Sequence, residues 1–360
     1  MFKKTDTNSK ILINGSFLCC RLTGIERYAY EITMRLDKLS KPEEIAIIVP
    51  NNTANLPAFS NLKLIRHRKN IKSHLYWQMI TLHWFLITHR QYIILEFGNT
   101  VLPFAPGIVF LHDIYREFFP EDFTGFRNNF FRLYYRWQYR LITKRVVKLI
   151  TVSFFSRSQI AENFGVNPEK ISVIYNSWEH FKSIQSDNSV FNAFPVLKEG
   201  NFYFTLGSLS KRKNIKWIVD YAVKHSGDIF VISGVEMPTT NTKSKALIPK
   251  NIIFTGYLND SHIKYLMEKC KALIMPSYYE GFGIPPLEAL CCGAQIIISN
   301  TASLPEIYGN TAHYIDPFDT NVDLDEILKQ PVDPPGEILK KYSYDTSARQ
   351  VYSIIQETVK

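Results

Sequence analysis

The segment Pro276-Ser277-Tyr278-Tyr279-Glu280-Gly281-Phe282-Gly283-Ile284-Pro285-Pro286-Leu287-Glu288 sets two carboxylates around a pair of glycines. Gly281 and Gly283 let the backbone turn sharply and approach a ligand closely. A proline at the first helical position presets the entry into a helix. Free N–H groups and the positive dipole end at such a start are a seat for phosphate. Glu288 falls in that first turn and Glu280 on the loop before it. Carboxylates are poor phosphate ligands but good acceptors for vicinal hydroxyls, so the pattern suits a ligand with both phosphates and sugar diols. Taken singly, Glu288 could complement the dipole and Glu280 could be a surface residue. Together, after a strand and around Gly-Phe-Gly-x-Pro, they favour the functional reading.

A second segment, Phe204-Thr205-Leu206-Gly207-Ser208-Leu209-Ser210-Lys211-Arg212-Lys213-Asn214, reads as a strand, a glycine turn, three cations and a helix start. Arginine offers a planar fork for phosphate oxygens and lysine a movable point charge. Three adjacent cations cannot all enter one pocket, and Arg212 and Lys213 are the candidates; a solvated basic turn is the alternative. Asp323-Leu324-Asp325 reads as a helix cap rather than a metal pair. The five cysteines, Cys19, Cys20, Cys270, Cys291 and Cys292, form no zinc pattern and read as free thiols of a reducing compartment. No metal or other cofactor is expected.

The elements that must carry these loops follow from 360 residues, 46% of them apolar, enough for two domains at roughly 150 residues each. Disorder is excluded by that hydrophobicity. Short apolar runs alternate with amphipathic segments, the pattern of parallel α/β sheets. Strands are expected at 11–13, 45–49, 92–95, 107–111, 149–152 and 171–174. A second series is expected at 203–206, 229–233, 252–255, 272–275 and 295–298. The main helices are expected at 25–39, 126–144, 215–225, 260–269, 286–292 and 344–358. Residues 180–200 are polar and aperiodic and read as a linker. The domains are therefore 1–179 and 201–341, with residues 342–360 as a helix packing back towards the first. Two doubly wound halves place a site in the central cleft between them, at the carboxyl ends of their strands.

Charge is uneven. Residues 1–180 hold 24 Lys/Arg against 14 Asp/Glu, whereas residues 181–360 hold 18 against 19. Arg132, Arg136, Arg140, Lys144 and Lys148 recur every four residues among Phe130, Phe131, Tyr134, Tyr135, Trp137 and Tyr139, as on a basic amphipathic helix over 126–148. Such a helix fits an anionic membrane surface, or else a core-packed helix with a solvated Arg face. No nucleic-acid signature occurs. The N-terminus lacks a signal-peptide core, and the apolar stretch 75–95 is too interrupted for the ~20 residues of a membrane span. The expected place is the cytoplasm, peripheral to the inner face of its membrane.

Glu280-x7-Glu288 and Gly-Ser-Leu-x-x-Arg-Lys-Asn from Gly207 resemble family 4 of the GT-B glycosyltransferases. Thr23-Gly24-Ile25-Glu26-Arg27-Tyr28 resembles that family's first glycine loop, Leu111-His112-Asp113 its strand-end His-Asp, and Thr151-Val152-Ser153 its Val-Ser strand. The resemblance runs from about residue 11 to about 320 and implies the GT-B fold and a nucleotide-sugar donor held mainly by the C-terminal domain. It implies that Arg212 and Lys213 neutralise the diphosphate, helped by backbone amides near Gly283 and Ile284. Glu288 would bind the ribose and Glu280 the donor sugar. Gly24 would approach the diphosphate, and His112 would touch the transferred sugar near its reacting carbon. Ser153, Gly207, Gly281 and Phe282 fall in the matched motifs and count among the substrate- and nucleotide-binding residues. Two departures stand out: Thr23 replaces the first of two glycines, and Arg212 adjoins Lys213 instead of following the glycine. The resemblance further implies retention of anomeric configuration and a metal-independent hexosyltransferase. Mannose from GDP-mannose and a lipid-linked oligosaccharide acceptor, of O-antigen or capsule type, are the expected substrates.

Competing readings are another GT-B enzyme, such as a nucleotide-sugar epimerase, or an NAD-dependent oxidoreductase. The latter wants Gly-x-Gly-x-x-Gly after the first strand, which Asn14-Gly15-Ser16-Phe17-Leu18-Cys19 does not supply. A membrane-surface binding protein with a degenerate cleft would have lost Glu280 or Lys213, and both are present.

Overall fold

The computed structural model describes residues 10–22, 24–54, 56–71, 73–105, 107–123, 126–207, 210–234 and 248–359. Thr23, Ser208 and Leu209 of the two motif loops lie outside them. The chain divides into two compact units, Met1–Asn176 with Ser343–Lys360, and Ser177–Tyr342.

In the first unit the strands are β1 (Lys10–Asn14), β2 (Ile45–Val49), β3 (Lys63–Arg66), β4 (Tyr92–Glu96), β5 (Ile108–Phe110), β6 (Lys148–Thr151) and β7 (Ile171–Val173). They form one parallel sheet in the order β3-β2-β1-β4-β5-β6-β7. The helices are α1 (Ile25–Leu39), α2 (His74–Tyr76, a π segment Trp77–Leu82, then His83–Thr88), α3 (Phe126–Arg145) and α4 (Phe154–Phe164). Strands covered on both faces must be apolar throughout rather than alternating, and β2, Ile-Ala-Ile-Ile-Val, is buried at every position. Ile11, Ile13, Ile45 and Ile47 pack in one cluster with Tyr28, Ala29, Ile32 and Leu36 of α1. Tyr344, Ala348, Val351 and Ile355 of the C-terminal helix Tyr344–Val359 join the same cluster; their spacing of four, three and four places them on one helix face. On the opposite sheet face, Leu12, Ala46, Ile48 and Ile94 meet Trp77, Leu82 and Leu86 of α2. Val109, Leu111 and Leu149 meet Tyr139 and Ile142 of α3 and Ile160 of α4.

The second unit repeats the plan. Its strands are β8 (Phe202–Leu206), β9 (Ile229–Ser233), β10 (Ile252–Gly256), β11 (Ala272–Met275), β12 (Ile296–Ser299) and β13 (His313–Ile315). They too are all parallel, in the order β10-β9-β8-β11-β12-β13. Helices α5 (Ile215–Lys224), α6 (Asp260–Lys269) and α7 (Pro285–Cys291) follow β8, β10 and β11. Each sheet has a point where the strand order reverses direction, beside β1 and β4 in one and beside β8 and β11 in the other. Ligands of open α/β sheets bind at such points, outside the carboxyl ends of the strands.

Several features depart from the sequence reading. Strands β3 and β13 were not anticipated: β3 is a charged edge strand with exposed residues, and β13 is a three-residue edge. Edge strands need no apolar run. Lys148 does not continue the basic helix, which ends at Arg145; it opens β6. Residues 180–200 pack inside the second unit. Phe181, Val190 and Leu197 are buried, and Lys264 of α6 donates to the carbonyls of Phe181 (3.2 Å), Lys182 (3.3 Å) and Ile184 (2.7 Å). Isolated anchors of this kind leave no periodicity to read. Asp323 caps the helix Leu324–Leu328, accepting from the amides of Asp325 (2.9 Å) and Glu326 (3.1 Å). The five cysteines are free thiols. Among the described residues, no helix is long and apolar enough to cross a membrane.

Candidate active site

The second unit brings the two sequence motifs together at its strand-order reversal. The basic turn leaves the end of β8, and the Glu280 loop leaves the end of β11. Asn214 ties them. Its backbone sits at φ +52°, which asparagine tolerates better than most residues. From there Nδ2 donates to the carbonyls of Pro276 (3.0 Å) and Pro317 (2.8 Å). The Tyr278 amide returns a bond to the Arg212 carbonyl (2.8 Å). So held, Arg212 Nη1 lies 3.0 Å from Glu280 Oε2 and Lys213 Nζ 2.7 Å from Glu280 Oε1. Arg212 Nη1 also donates to the Tyr279 carbonyl (3.3 Å). Burial works to raise the Glu280 carboxyl, but Lys213 and Arg212 outweigh it and hold it down to about 2. At neutral pH the triad therefore carries two positive charges and one negative, with its cations fixed in place.

Glu280 is buried and its carbonyl accepts from Ser303 Oγ (2.9 Å). Gly283 sits at φ +81°, and a Cβ there would stand 2.7 Å from Leu304 Cδ2 and 3.2 Å from Met275 Cε; conformation and packing both demand glycine. Tyr308 Oη bridges this turn, donating to the Gly283 carbonyl and accepting from the Leu287 amide. Ile284 precedes α7, whose first positions carry proline. Phe282 presents only backbone, because its ring is buried, edge-on to Tyr342 at 5.3 Å. Gly281 lies in the same loop, and Gly207 follows β8, its amide donating to the Ser233 carbonyl (3.0 Å).

Glu288 stands in the first turn of α7, 8% exposed. Its Oε1 lies 3.0 Å from Nε2 of His180, which comes from a short 3-10 turn, Glu179–Phe181. Sequence reasoning missed this partner, since nothing about His180 points to a residue 108 positions away.

In the first unit, Gly24 precedes α1 at φ +48°. Ser153 is wholly buried and caps α4, its Oγ accepting from the Ser156 amide (3.0 Å). His112 follows β5, 7% exposed. Its Nε2 bonds the Phe97 carbonyl at 2.9 Å; a carbonyl only accepts, so Nε2 carries the proton and Nδ1 the lone pair. Burial pushes the ring down to about 4, against that bond, so the imidazole is neutral at physiological pH. The residue before Phe97 is a buried carboxyl, Glu96, that the motifs did not flag. It is the one acidic residue between Glu44 and Asp113, at the end of an apolar strand, and that isolation was the available signal. Among the described residues no group of three or more acidic, His or Cys side chains is placed to hold a metal.

Two parallel Rossmann-like sheets, one with a cation–carboxylate cluster at its strand-order reversal, define an α/β fold. Residues 22–178 match the family described as Glycosyltransferase Family 4, and residues 188–331 match glycosyl transferases group 1. The chain belongs to these GT-B glycosyltransferases and is a glycosyltransferase. It is 25% identical to the O-antigen chain mannosyltransferase RfbU of Salmonella typhimurium, over 79% of this chain and 75% of that one. It is 26% identical to the O-antigen chain mannosyltransferase B of Escherichia coli, over 86% and 87%. Among solved structures, sucrose-phosphate synthase of Thermosynechococcus elongatus superposes with a TM-score of 0.70 at 15% identity, covering 97% of this chain and 98% of that one. WaaG, a glycosyltransferase involved in lipopolysaccharide biosynthesis, gives 0.59 at 16%, covering 97% and 98%. At these identities the structures speak to the fold.

Proposed function

We propose that the protein moves a hexose, mannose or a close relative, from a nucleotide-diphosphate sugar to a hydroxyl of a lipid-linked surface glycan, with retention at the anomeric carbon. The observation that carries the reading is the Arg212–Glu280–Lys213 triad at the reversal of the second sheet. Breaking the bond between sugar and diphosphate builds negative charge on the leaving group, and cations fixed beforehand stabilise it without reorganising. Glu280 serves two ends in this scheme. It holds Arg212 and Lys213 for the diphosphate, and since a carboxylate offers about four lone-pair directions, it can still accept from hydroxyls of the donor sugar. The acceptor hydroxyl attacks from the face the diphosphate leaves and passes its proton to the departing oxygen. Amides near Gly283 and Ile284 add to phosphate binding, Gly24 approaches the diphosphate, and Glu288 accepts from the ribose. His112, with its bare Nδ1, contacts the transferred sugar. The O-antigen mannosyltransferases among the relatives support GDP-mannose as donor and an O-antigen or capsule type of acceptor.

The acceptor's lipid gives a reason for the character of α3. One face packs through Tyr139 and Ile142, while Phe130, Leu133 and Trp137 are exposed beside Arg136, Arg140 and Lys144. This combination suits docking to an anionic bilayer.

Calorimetric titration with GDP, UDP, dTDP and ADP, each with and without EDTA, tests the donor. Selective binding of GDP that EDTA does not alter, weakened in Glu288→Ala while thermal unfolding is unchanged, is the expected result. Binding of none of the four would overturn the reading; selective binding of another would replace GDP-mannose as donor.

A further inference from the structure

The reversal point of the first sheet holds a polar cluster to which no role has been given. Glu96 ends β4 and Asn14 ends β1, the two strands that flank the reversal. Asn14 Nδ2 donates to Glu96 Oε2 (2.7 Å), and so does Gln78 Nε2 from the π turn of α2 (3.2 Å). Glu96 Oε1 accepts from the Gly98 amide (2.9 Å). Asn14 is oriented in turn by Trp77 Nε1, which donates to its Oδ1 (3.0 Å). Gln78 also donates to Thr100 Oγ1, which donates to the Gly98 carbonyl (2.8 Å). The turn after β4 is thereby fixed on the carboxylate.

That turn grips His112 twice. The Asn99 side chain accepts from the His112 amide (2.8 Å), and the Phe97 carbonyl accepts from Nε2–H (2.9 Å). The second bond sets which ring nitrogen carries the proton. We propose that Glu96 is a positioning residue: by pinning the Phe97–Asn99 backbone it fixes the tautomer and orientation of the His112 imidazole for the sugar. The proposal rests on the reading of His112 given above.

The chemistry of the carboxyl bears on this. Every group hydrogen-bonded to it is a donor, so the ionised form, an acceptor only, satisfies the cluster, whereas a protonated form must aim its own hydrogen at a donor. Burial pushes the Glu96 carboxyl up to about 7, against hydrogen bonds from Asn14 and the amides of Gly98 and Phe97. The titratable group coupled to it is Tyr134 of α3, whose hydroxyl is itself pushed upward, by burial first and by Tyr135 and Glu96 in addition, while His112, held by the adjoining turn, is neutral down to about pH 4. The clamp is therefore complete above about pH 7 and loosens below it.

The test is nitrogen-15 NMR of the full chain labelled at histidine, in wild type and Glu96→Gln, with His112→Asn to assign the ring. Wild type at pH 8 is expected to show the Nε2–H tautomer and to lose it in part as the pH falls through about 7. Glu96→Gln is expected to show the loosened ring at pH 8 with no such step. It should also lower kcat about 10-fold or more, with nucleotide affinity unchanged. Should Glu96→Gln fail to fold, Gln78→Ala removes one donor from Oε2 and carries the same expectation at smaller size. Unaltered His112 signals, or an unaltered kcat in a variant that folds, would overturn the proposal. Altered signals in a protein that transfers no sugar would leave the clamp standing and dispose of the transferase reading of His112.

Discussion

Arg212 and Lys213 share one carboxylate, and that arrangement separates their contribution to catalysis from their contribution to stability. In the proposed transfer each cation offsets the negative charge that builds on the diphosphate, already anionic in the donor, as its bond to the sugar breaks. Arg212→Ala and Lys213→Ala are thus expected to lower kcat/KM about 100-fold each, roughly 3 kcal/mol of transition-state stabilisation, measured by steady-state assay with the donor that calorimetry identifies. Glu280 is the part that stability depends on. Its carboxyl is held at about 2 against an ordinary 4.5, so its contribution is full above about pH 4.5 and is lost as the pH falls through 2. Glu280→Gln should therefore be less stable than wild type in urea at pH 7, with the gap narrowing at pH 4 and again at pH 3. Glu96 has the opposite sign. Raised from 4.5 to about 7, it favours the folded state most below pH 4.5 and less as the pH climbs to 7. The carboxylates of the Glu-x7-Glu segment were legible as residue types at a telling spacing. Their partners were not: Arg212, Lys213 and His180 reach Glu280 and Glu288 across the fold, where sequence distance carries no information.

The central strands were legible because strands covered on both faces read as unbroken apolar runs. Edge strands escape that logic, and β3, Lys-Leu-Ile-Arg, shows why: a strand with one open side needs charge more than grease. Helix α2 escaped for a different reason. Its π turn shifts the register of the buried face, so Trp77, Leu82 and Leu86 do not repeat at a constant helical interval. At the turn before α7, Gly283 offers a check on how tightly the fold specifies this loop. Gly283→Ala meets both a strained φ and Leu304, whereas Gly293→Ala at the same φ of +81° meets nothing within 4 Å. The first substitution should destabilise by about 2–3 kcal/mol and the second by about 1 kcal/mol, as read from chemical denaturation, with nucleotide affinity falling only in the first.

Across the whole molecule, the helix Tyr344–Val359 belongs to the unit that the first 176 residues begin. Val351 is fully buried among Tyr28, Ile32 and Leu36, and an unpaired charge there cannot be solvated. Val351→Asp is expected to destabilise the first unit selectively, moving its calorimetric transition to a lower temperature and separating it from that of the second, with nucleotide binding retained by the second.

The path of the chain also dictates a schedule for its synthesis. The second unit is inserted within the first, so a ribosome delivers it whole before it delivers the helix that completes its host. Until residues 344–359 clear the exit tunnel, the apolar face of α1 waits without its cover, and of the two units the one begun first is completed second.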